Sequence, residues 1–317
     1  MKLKDFNIVY INLDHRKDRK ELFEKQFNKI GIKAHRISAI YGKELYNPNY
    51  RNKVANELNI PEDKLKPEFW KSRRNFKTMI KQIDLILGRV GAYLSHMKAI
   101  KLAIDNKWDN ILILEDDVKI LDGSENKSFI LPKKSDINYF GGMFWHQVEQ
   151  PVDPRTEWIK VNPEELKLIG GFAYSVSNKE TMREIYNLTR SVFNEGKGHD
   201  KHPDWRKGII KMRAQPIDLL YINYFQKYGS CFVKNPVLFG HFENMGSNIS
   251  PHYGTSQKRW KHSFFYHPEQ ENLTYRQDGG KIKLDYSYII DPINNKRTKI
   301  NSKHGKYLIK KYIESLK

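Results

Sequence analysis

The sequence predicts an α/β fold with a largely parallel central sheet that helices cover on both faces. Residues 6–13 and 34–40 are apolar, β-branched runs that indicate strands, and the charged segment between them repeats apolar residues at helical spacing. This strand–helix–strand order is typical of parallel pairing. Residues 111–114 are purely aliphatic, which indicates a third strand buried on both faces. A chain of 317 residues is long enough to bury such a core.

The remaining elements follow from apolar periodicity and from the positions of glycine and proline. In chain order we expect a helix over 14–30, a helix over 91–108, strands over 137–140 and 172–176, a helix over 177–192 and a helix over 216–229. Each of these two later strands adjoins a Gly-Gly pair. Pro216 suits the first turn of the last helix, because its fixed φ is helical and the N–H that it lacks would have no partner there.

Two segments differ in composition from the rest. Residues 43–84 are rich in lysine, asparagine and proline, which predicts a helical insertion on the sheet. Residues 255–317 are basic and aromatic, which predicts an appended C-terminal extension. We therefore expect one domain over residues 1–254, with the insertion inside it, followed by the extension.

The chain is strongly basic, with 56 Lys+Arg against 37 Asp+Glu and a formal net charge of +19. Such a charge favours anionic partners. Nucleic-acid-binding proteins usually concentrate their charge beside a recognisable motif, whereas the basic residues here are spread along the whole chain. We therefore expect a solvated basic surface and no nucleic-acid partner.

The cysteine count and the lengths of the apolar runs indicate the cellular compartment of the protein. Cys231 is the single cysteine, which excludes an intrachain disulfide and a cysteine-based zinc site. The N-terminal residues lack the apolar core of a signal peptide, and no apolar run approaches membrane-spanning length. The sequence therefore predicts a soluble, cytoplasmic protein without a membrane span.

Three consecutive carboxylates, Glu115, Asp116 and Asp117, follow the aliphatic run 111–114 directly. Like charges this close raise one another's pKa or recruit a cation. Oxygen ligands favour Mg²⁺ or Mn²⁺, usually completed by water and substrate phosphates. A solvated acidic loop is the alternative, but the ends of buried strands are where open α/β sheets bind ligands. We therefore expect a metal-dependent site here.

The segment GRVGAYLSHMKA at residues 88–99, followed by ILILEDDV at 111–118, resembles family 25 glycosyltransferases. That family includes lipooligosaccharide and collagen hydroxylysine galactosyltransferases. Weaker similarities lie at residues 11–19, 39–45, 171–177, 216–218 and 246–249. The resemblance spans residues 6–250, and its specific part is the Leu-Ser-His block together with the acidic triplet.

The resemblance implies a GT-A type fold with a mixed, mostly parallel sheet. It also implies inverting transfer of galactose or another hexose from a nucleotide-diphosphate donor, UDP above all, to a hydroxyl of a glycan or protein. Mn²⁺ is the implied cofactor, with Mg²⁺ as the alternative. The implied donor-binding residues are Asn12, Asp14, Ala39, Gly42, Ser95, His96, Glu115 and Asp116. The implied metal ligands are Glu115, Asp117 and His241, and the implied catalytic base is Asp218.

Several of these assignments have structural alternatives. His96 and His241 can be ordinary core or surface histidines, and Asp218 can simply stabilise the N-terminus of a helix. Arg89 stands where the family commonly has an acid, and Asn248 stands where it usually has an aspartate. These two departures motivate an alternative function, a catalytically weak or inactive nucleotide-sugar- or carbohydrate-binding protein on the same fold.

Overall fold

The computed structural model of the chain has two compact units, Met1–Thr274 and Tyr275–Lys317. The residues described are 1–71, 83–121, 123–144, 156–162, 168–191, 193, 217–242, 288–290, 297–299, 302 and 306–307. Most of the predicted C-terminal extension lies outside these ranges, so the boundary at residue 254 stays a prediction. In the second unit, Tyr288–Ile290 and Arg297–Lys299 pair as antiparallel strands.

A seven-stranded mixed sheet forms the centre of the first unit. The strands of this unit are β1 (Ile8–Asn12), β2 (His35–Ser38), β3 (Ile111–Glu115), β4 (Val118–Ile120), β5 (Ile137–Phe144), β6 (Trp158–Lys160), β7 (Leu168–Val176), β8 (Cys231–Lys234) and β9 (Phe239–His241). Their order in the sheet is β2-β1-β3-β7-β5-β8-β6, and β4 pairs with β9 in a separate antiparallel ribbon. All strands of the large sheet except β6 and β7 run in one direction. The predicted mixed, mostly parallel α/β sheet is confirmed and is consistent with a GT-A type fold.

Helices cover both faces of the sheet, because successive apolar side chains of its inner strands point to opposite faces and both faces must be buried. The helices are α1 (Lys17–Lys29), α2 (Pro48–Leu58), α3 (Pro67–Lys71), α4 (Ile83–Asp105), α5 (Lys179–Ser191) and α6 (Ile217–Tyr221). Ile111 and Ile113 of β3 join the core under α2, α4 and α5, whereas Leu112 and Leu114 join the core under α1. On the second face, Phe23 and Phe27 of α1 stack with ring centroids 4.3 Å apart.

The predicted elements are present, with differences in length. Helix α4 begins at Ile83 rather than at residue 91. Strands β5 and β7 run through their Gly-Gly pairs instead of stopping there. The reason is that a side chain at Gly141 would overlap the ring of Phe172, so glycine lets the two strands continue side by side. The predicted helix over 216–229 is present as α6, a π-helical turn at Ile222–Gln226 and a last helical stretch at residues 227–228; Pro216 lies outside the described ranges.

The described part of segment 43–84 is helical. It contains α2, α3 and two short 3₁₀ turns, Gly42–Tyr46 and Glu62–Leu65. Val54, Leu58 and Leu65 are buried in the core beside α4, so these helices pack against the main body of the first unit. Within the described ranges, no helix combines the length and the apolarity needed to cross a bilayer.

Close packing of α4 against the 3₁₀ turn after β2 explains two glycines, Gly91 of the helix and Gly42 of the turn. A Cβ at Gly91 would overlap the carbonyl oxygen of Ile40, and a Cβ at Gly42 would overlap that of Leu87. Both obstacles are backbone atoms, which cannot rotate away. These two glycines therefore let the turn that follows β2 lie directly on α4.

We predict that Gly91→Ala lowers the free energy of unfolding by about 1–3 kcal/mol, because overpacking outweighs the better helix propensity of alanine. Urea denaturation measures this difference. Gly171→Ala is the matched control, since a Cβ there meets its nearest atoms at an ordinary 3.9 Å. Equal stability of the Gly91→Ala protein and the wild type would contradict the close approach.

Candidate functional site

The predicted site residues gather at the carboxyl edge of the parallel strands. Strands β1, β2 and β3 are parallel neighbours, so Asn12, Ser38 and Glu115 all lie at this edge. Strand β7 runs antiparallel to β3, and Leu114 pairs with Ala173. Residues 170–172 of β7 therefore also lie beside the acidic triplet.

Asp116 is buried and holds the triplet to the rest of the sheet. Its Oδ2 accepts a hydrogen bond from Asn12 Nδ2 at 2.7 Å, and its Oδ1 accepts one from Arg19 Nη1 at 2.7 Å. Burial raises the pKa of Asp116, while the charge of Arg19 opposes that rise. Asn12 also accepts from Arg36 Nε at 2.9 Å and donates to the Arg16 carbonyl. Asn12 and Asp116 thus hydrogen-bond within the protein, and their contact with a donor stays a prediction.

Asp117 lies beside His241. Its Oδ2 is 3.2 Å from Arg19 Nη1, and its Oδ1 is 3.2 Å from His241 Nδ1. Val118 of β4 pairs with His241 of β9, and the Phe242 N–H donates to the Asp117 carbonyl at 2.9 Å, which fixes this neighbourhood. Burial acts to raise the pKa of Asp117, but the charges of His241 and Arg19 hold it below its usual range.

The fit of a metal ion can be judged from the oxygen Oδ1 of Asp117. This atom is buried and makes no hydrogen bond of regular geometry with a described residue, and its ion-pair partner is His241 Nδ1 at 3.2 Å. A carboxylate oxygen and an imidazole nitrogen that converge in this way suit a divalent ion completed by phosphate oxygens and water. Among the described residues, no group of three or more ligating side chains is assembled. The residues therefore fit a two-ligand site made by Asp117 and His241.

Glu115, the third predicted metal ligand, lies next to His96 instead. The distance from His96 Nε2 to Glu115 Oε1 is 3.4 Å, and His96 Nδ1 is 3.0 Å from the Tyr174 hydroxyl. The ring of His96 is buried, whereas the Glu115 side chain is 40% exposed. His96 can therefore orient Glu115 from behind, while Glu115 faces the open side of the site.

A cavity of about 100 Å³ lies at the ends of β1 and β2. Its lining includes Asp14, Ala39, Tyr41, Tyr50, Glu57 and Lys98. Hydrogen bonds from Arg36 and Ser38 hold the pKa of Asp14 below its usual range, so its carboxylate is ionised near neutral pH. Asp14 and Ala39, two predicted donor-binding residues, therefore face the same small cavity.

Ser95 and Gly42 support this cavity from behind. Ser95 Oγ accepts from the Ile40 N–H at 2.8 Å and donates to the Gly91 carbonyl at 2.7 Å. Gly42 lies against α4 and is not among the residues that line the cavity. Both residues fix the turn that carries Ala39, and direct donor contact by either one stays a prediction.

Asp218 reaches the same edge from α6. Its Oδ2 accepts from the Gly170 N–H at 3.3 Å, and Gly170 belongs to the part of β7 that extends beside the triplet. Asp136, a second acid that contacts described residues, precedes β5, which runs in the direction of β3, so Asp136 lies at the opposite edge. Its two oxygens accept from Thr181 Oγ1 and the Ser230 N–H. Asp136 is therefore a structural residue.

Sequence reasoning gave no role to three residues that organise this edge: Arg19, Tyr174 and Tyr221. Arg19 lies in the first turn of α1, 97 residues before Asp116 in the sequence. Tyr174 and Tyr221 lie in largely apolar runs, and the sequence does not distinguish them from core tyrosines. Contacts over such separations leave no signal in the periodicity of a single chain. Of the two departures noted in the sequence, Arg89 is half-buried in α4, and Asn248 lies outside the described ranges.

Comparison with known proteins gives two similarities. A family profile described as "Glycosyltransferase family 25 (LPS biosynthesis protein)" matches residues 6–188. A curated protein of Drosophila melanogaster named "Glycosyltransferase 25 family member" is 30% identical over 112 residues, which are 35% of this chain and 16% of that protein. The profile match includes the acidic triplet and His96, whereas Asp218 and His241 follow it.

We predict that Arg19→Gln lowers the free energy of unfolding by about 3–5 kcal/mol, because it leaves Asp116 and Asp117 buried without their shared cation. Chemical denaturation monitored by circular dichroism measures the change. Lys20→Gln is the control from the same helix; its ion pair with Glu24 is 3.9 Å long and exposed, so the expected change is below about 1 kcal/mol. Similar small effects of both substitutions would show that Arg19 does not hold the triplet.

Proposed function

Because the chain belongs to glycosyltransferase family 25, we propose that it transfers a hexose from a UDP-sugar to a hydroxyl of a glycan or protein acceptor. The observation that carries the proposal is the buried Asp117 Oδ1, whose ion-pair partner among the described residues is His241 Nδ1 at 3.2 Å. This pair lies at the strand edge where open α/β sheets bind their ligands. Family membership supports the reaction class, and the residues around the triplet support its chemistry.

Asp117 and His241 are the residues that would hold the metal ion, Mn²⁺ or alternatively Mg²⁺. When bound, such an ion acts as a Lewis acid that neutralises charge on the leaving diphosphate. Arg19 holds Oδ2 of Asp117 at 3.2 Å, so it is Oδ1 that is directed toward His241. Phe172 packs on His241 with ring centroids 4.0 Å apart, which limits the rotation of the imidazole.

The small cavity at the ends of β1 and β2 is the proposed site of the nucleoside. Its volume is about 100 Å³, and uridine is the nucleoside that the family resemblance implies. The ionised Asp14 can accept hydrogen bonds from ribose hydroxyls, and Tyr41 offers a ring face to the base. Glu115, at the end of β3, can accept from the same sugar or from the transferred hexose. In this proposal Asn12, Gly42 and Ser95 act indirectly, by fixing the residues that touch the donor.

Asp218 is the proposed base of an inverting transfer. Such a reaction needs a carboxylate that removes the proton of the acceptor hydroxyl while this oxygen attacks the sugar carbon. Asp218 is at the triplet's edge but comes from α6, an element separate from those around the nucleoside cavity. The N–H of Gly170 orients its carboxylate. A base on a different element from the proposed donor-binding residues suits attack from the opposite side of the sugar.

We predict that Asp117→Asn abolishes the Mn²⁺-dependent part of UDP-hexose binding while the fold is retained, because the amide offers a neutral, weaker ligand. Isothermal titration with UDP-galactose and UDP-glucose, with Mn²⁺ or with a chelator, measures this. Asp105→Asn is the matched control, since Asp105 is exposed at the end of α4 and pairs with Lys101. Chelator-independent donor affinity in the wild type would reject the metal assignment, and absence of any UDP-sugar binding would reject the proposed donor.

We predict that Asp218→Asn lowers the rate of sugar transfer by a factor of about one hundred to ten thousand, because the general base is lost. Binding of donor and Mn²⁺ should stay within about twofold of the wild type, since Asp218 lies outside the donor's proposed contacts. Single-turnover transfer to a hydroxyl acceptor separates the chemical step from binding. Transfer within about threefold of the wild-type rate would remove Asp218 from the mechanism.

A further inference from the structure

Four side chains from four elements form a continuous line of polar contacts that ends at the site. Tyr221 of α6 lies 2.8 Å from the hydroxyl of Tyr174 in β7, which lies 3.0 Å from His96 Nδ1 in α4. His96 Nε2 lies 3.4 Å from Glu115 Oε1 at the end of β3. The two tyrosines are fully buried and His96 is 2% exposed, so water does not compete for the contacts among these three residues.

The direction of each hydrogen bond follows from its neighbour. An ionised Glu115 can only accept, so His96 Nε2 must carry the hydrogen. In a neutral imidazole Nδ1 is then the acceptor, and Tyr174 must donate to it. The Tyr174 oxygen in turn accepts from Tyr221. Burial raises the pKa of both tyrosines, so both hydroxyls keep their protons.

The line is held in place because, within the part of the chain that the structure describes, its buried members hydrogen-bond only to one another and to Glu115. Among the described residues, the Tyr221 hydroxyl bonds to Tyr174, and the Tyr174 hydroxyl bonds to Tyr221 and His96. A buried hydroxyl or imidazole nitrogen that loses its partner costs about 1–3 kcal/mol. Glu115 is different, because its side chain is 40% exposed and water could solvate other rotamers equally well. The line therefore selects one orientation of this carboxylate.

Helix α6 connects both halves of the site. Asp218 and Tyr221 are three residues apart on α6 and so lie on the same helical face. Both bond to β7, Asp218 through the Gly170 N–H and Tyr221 through Tyr174. The element that carries the proposed base is thus also the anchor of the line that ends at Glu115.

We propose that Tyr221, Tyr174 and His96 are positioning residues, which fix the Glu115 carboxylate so that donor affinity depends on buried hydroxyls remote from the donor. This inference rests on the proposed function in one respect, the contact between Glu115 and the donor. The orientation of the hydrogen bonds does not depend on any ligand. Two measurements therefore test the two parts separately.

The first measurement is the protonation state of His96 by NMR of the ¹⁵N-histidine-labelled full chain. Its signals among the 11 histidines are those that disappear in His96→Gln. We expect Nε2 to carry the hydrogen and Nδ1 to be a hydrogen-bonded acceptor, and we expect Tyr174→Phe to shift Nδ1 toward the value of a free nitrogen. A hydrogen on Nδ1 in the wild type, alone or on both nitrogens, would overturn the directed line whether or not a nucleotide binds.

The second measurement is a double-mutant cycle on the affinity for UDP in the presence of Mn²⁺. We expect Tyr221→Phe and Tyr174→Phe each to weaken binding by about three- to tenfold, and to have no further effect in a Glu115→Ala background. Tyr139→Phe is the matched control, because its buried hydroxyl bonds to Gln226 outside the line, and it should leave affinity unchanged.

The outcomes of the cycle separate positioning from general stability. The proposal is overturned if the tyrosine substitutions lower UDP affinity equally in the wild-type and Glu115→Ala backgrounds. It is also overturned if Tyr139→Phe lowers UDP affinity as much as Tyr174→Phe does, because either result would show a general effect on the core. Unchanged UDP affinity in both Tyr221→Phe and Tyr174→Phe would overturn the proposal as well. If the wild type binds no UDP, the proposed donor fails, and the state of His96 decides the positioning line by itself.

Discussion

The site depends on the ion pairs of one buried guanidinium, Arg19. Three carboxylates at the end of a buried strand repel one another, and burial penalises their charges further. Arg19 contacts two of them, Asp116 at 2.7 Å and Asp117 at 3.2 Å, and thereby offsets both costs. Without this cation the turn after β3 would open toward water, and the neighbourhood of Asp117 and His241 would be lost. Helix α1 therefore does more than cover the sheet, because it delivers the charge that keeps the triplet in place.

The pairing with Arg19 also divides the three acids by role. Asp116 is enclosed by Arg19 and Asn12, so it joins the turn to β1 and α1. Asp117 keeps Oδ1 directed toward His241, which suits a metal ligand. Glu115 lies outside this cluster and is held by His96 instead. Three adjacent residues of nearly the same chemistry thus differ because successive positions at a strand end point to different neighbours.

The fold and the gathering of the candidate residues at one edge of the sheet were predictable from the sequence, because both depend on local pattern. The aliphatic run of β3 and the acids after it determine a buried strand end, whatever the rest of the chain does. His241 could be suggested only by family likeness, because β4 and β9 have three residues each and no alternation to reveal their pairing. The lengths of β5 and β7 were underestimated because glycine usually ends a strand, whereas Gly141 here makes room for Phe172. Partners of Tyr174 and Arg19 arise from tertiary packing and have no local signal.

A common principle joins the supports of this edge. Ser95 ties the turn after β2 to α4, Asn12 ties β1 to the triplet, and Tyr174 ties β7 to α4 and α6. In each case a buried polar group forms its hydrogen bond with an atom of another element. A displacement of either element would therefore leave a buried polar atom without a hydrogen-bond partner. Such contacts define position more sharply than apolar packing, which tolerates small slides. Asp117 Oδ1 differs from these groups, because its contact with His241 Nδ1 is an ion pair at 3.2 Å and not a regular hydrogen bond. If the proposed metal ion binds there, it reaches an oxygen whose surroundings the other contacts already fix, which is how preorganised sites avoid rearrangement during reaction.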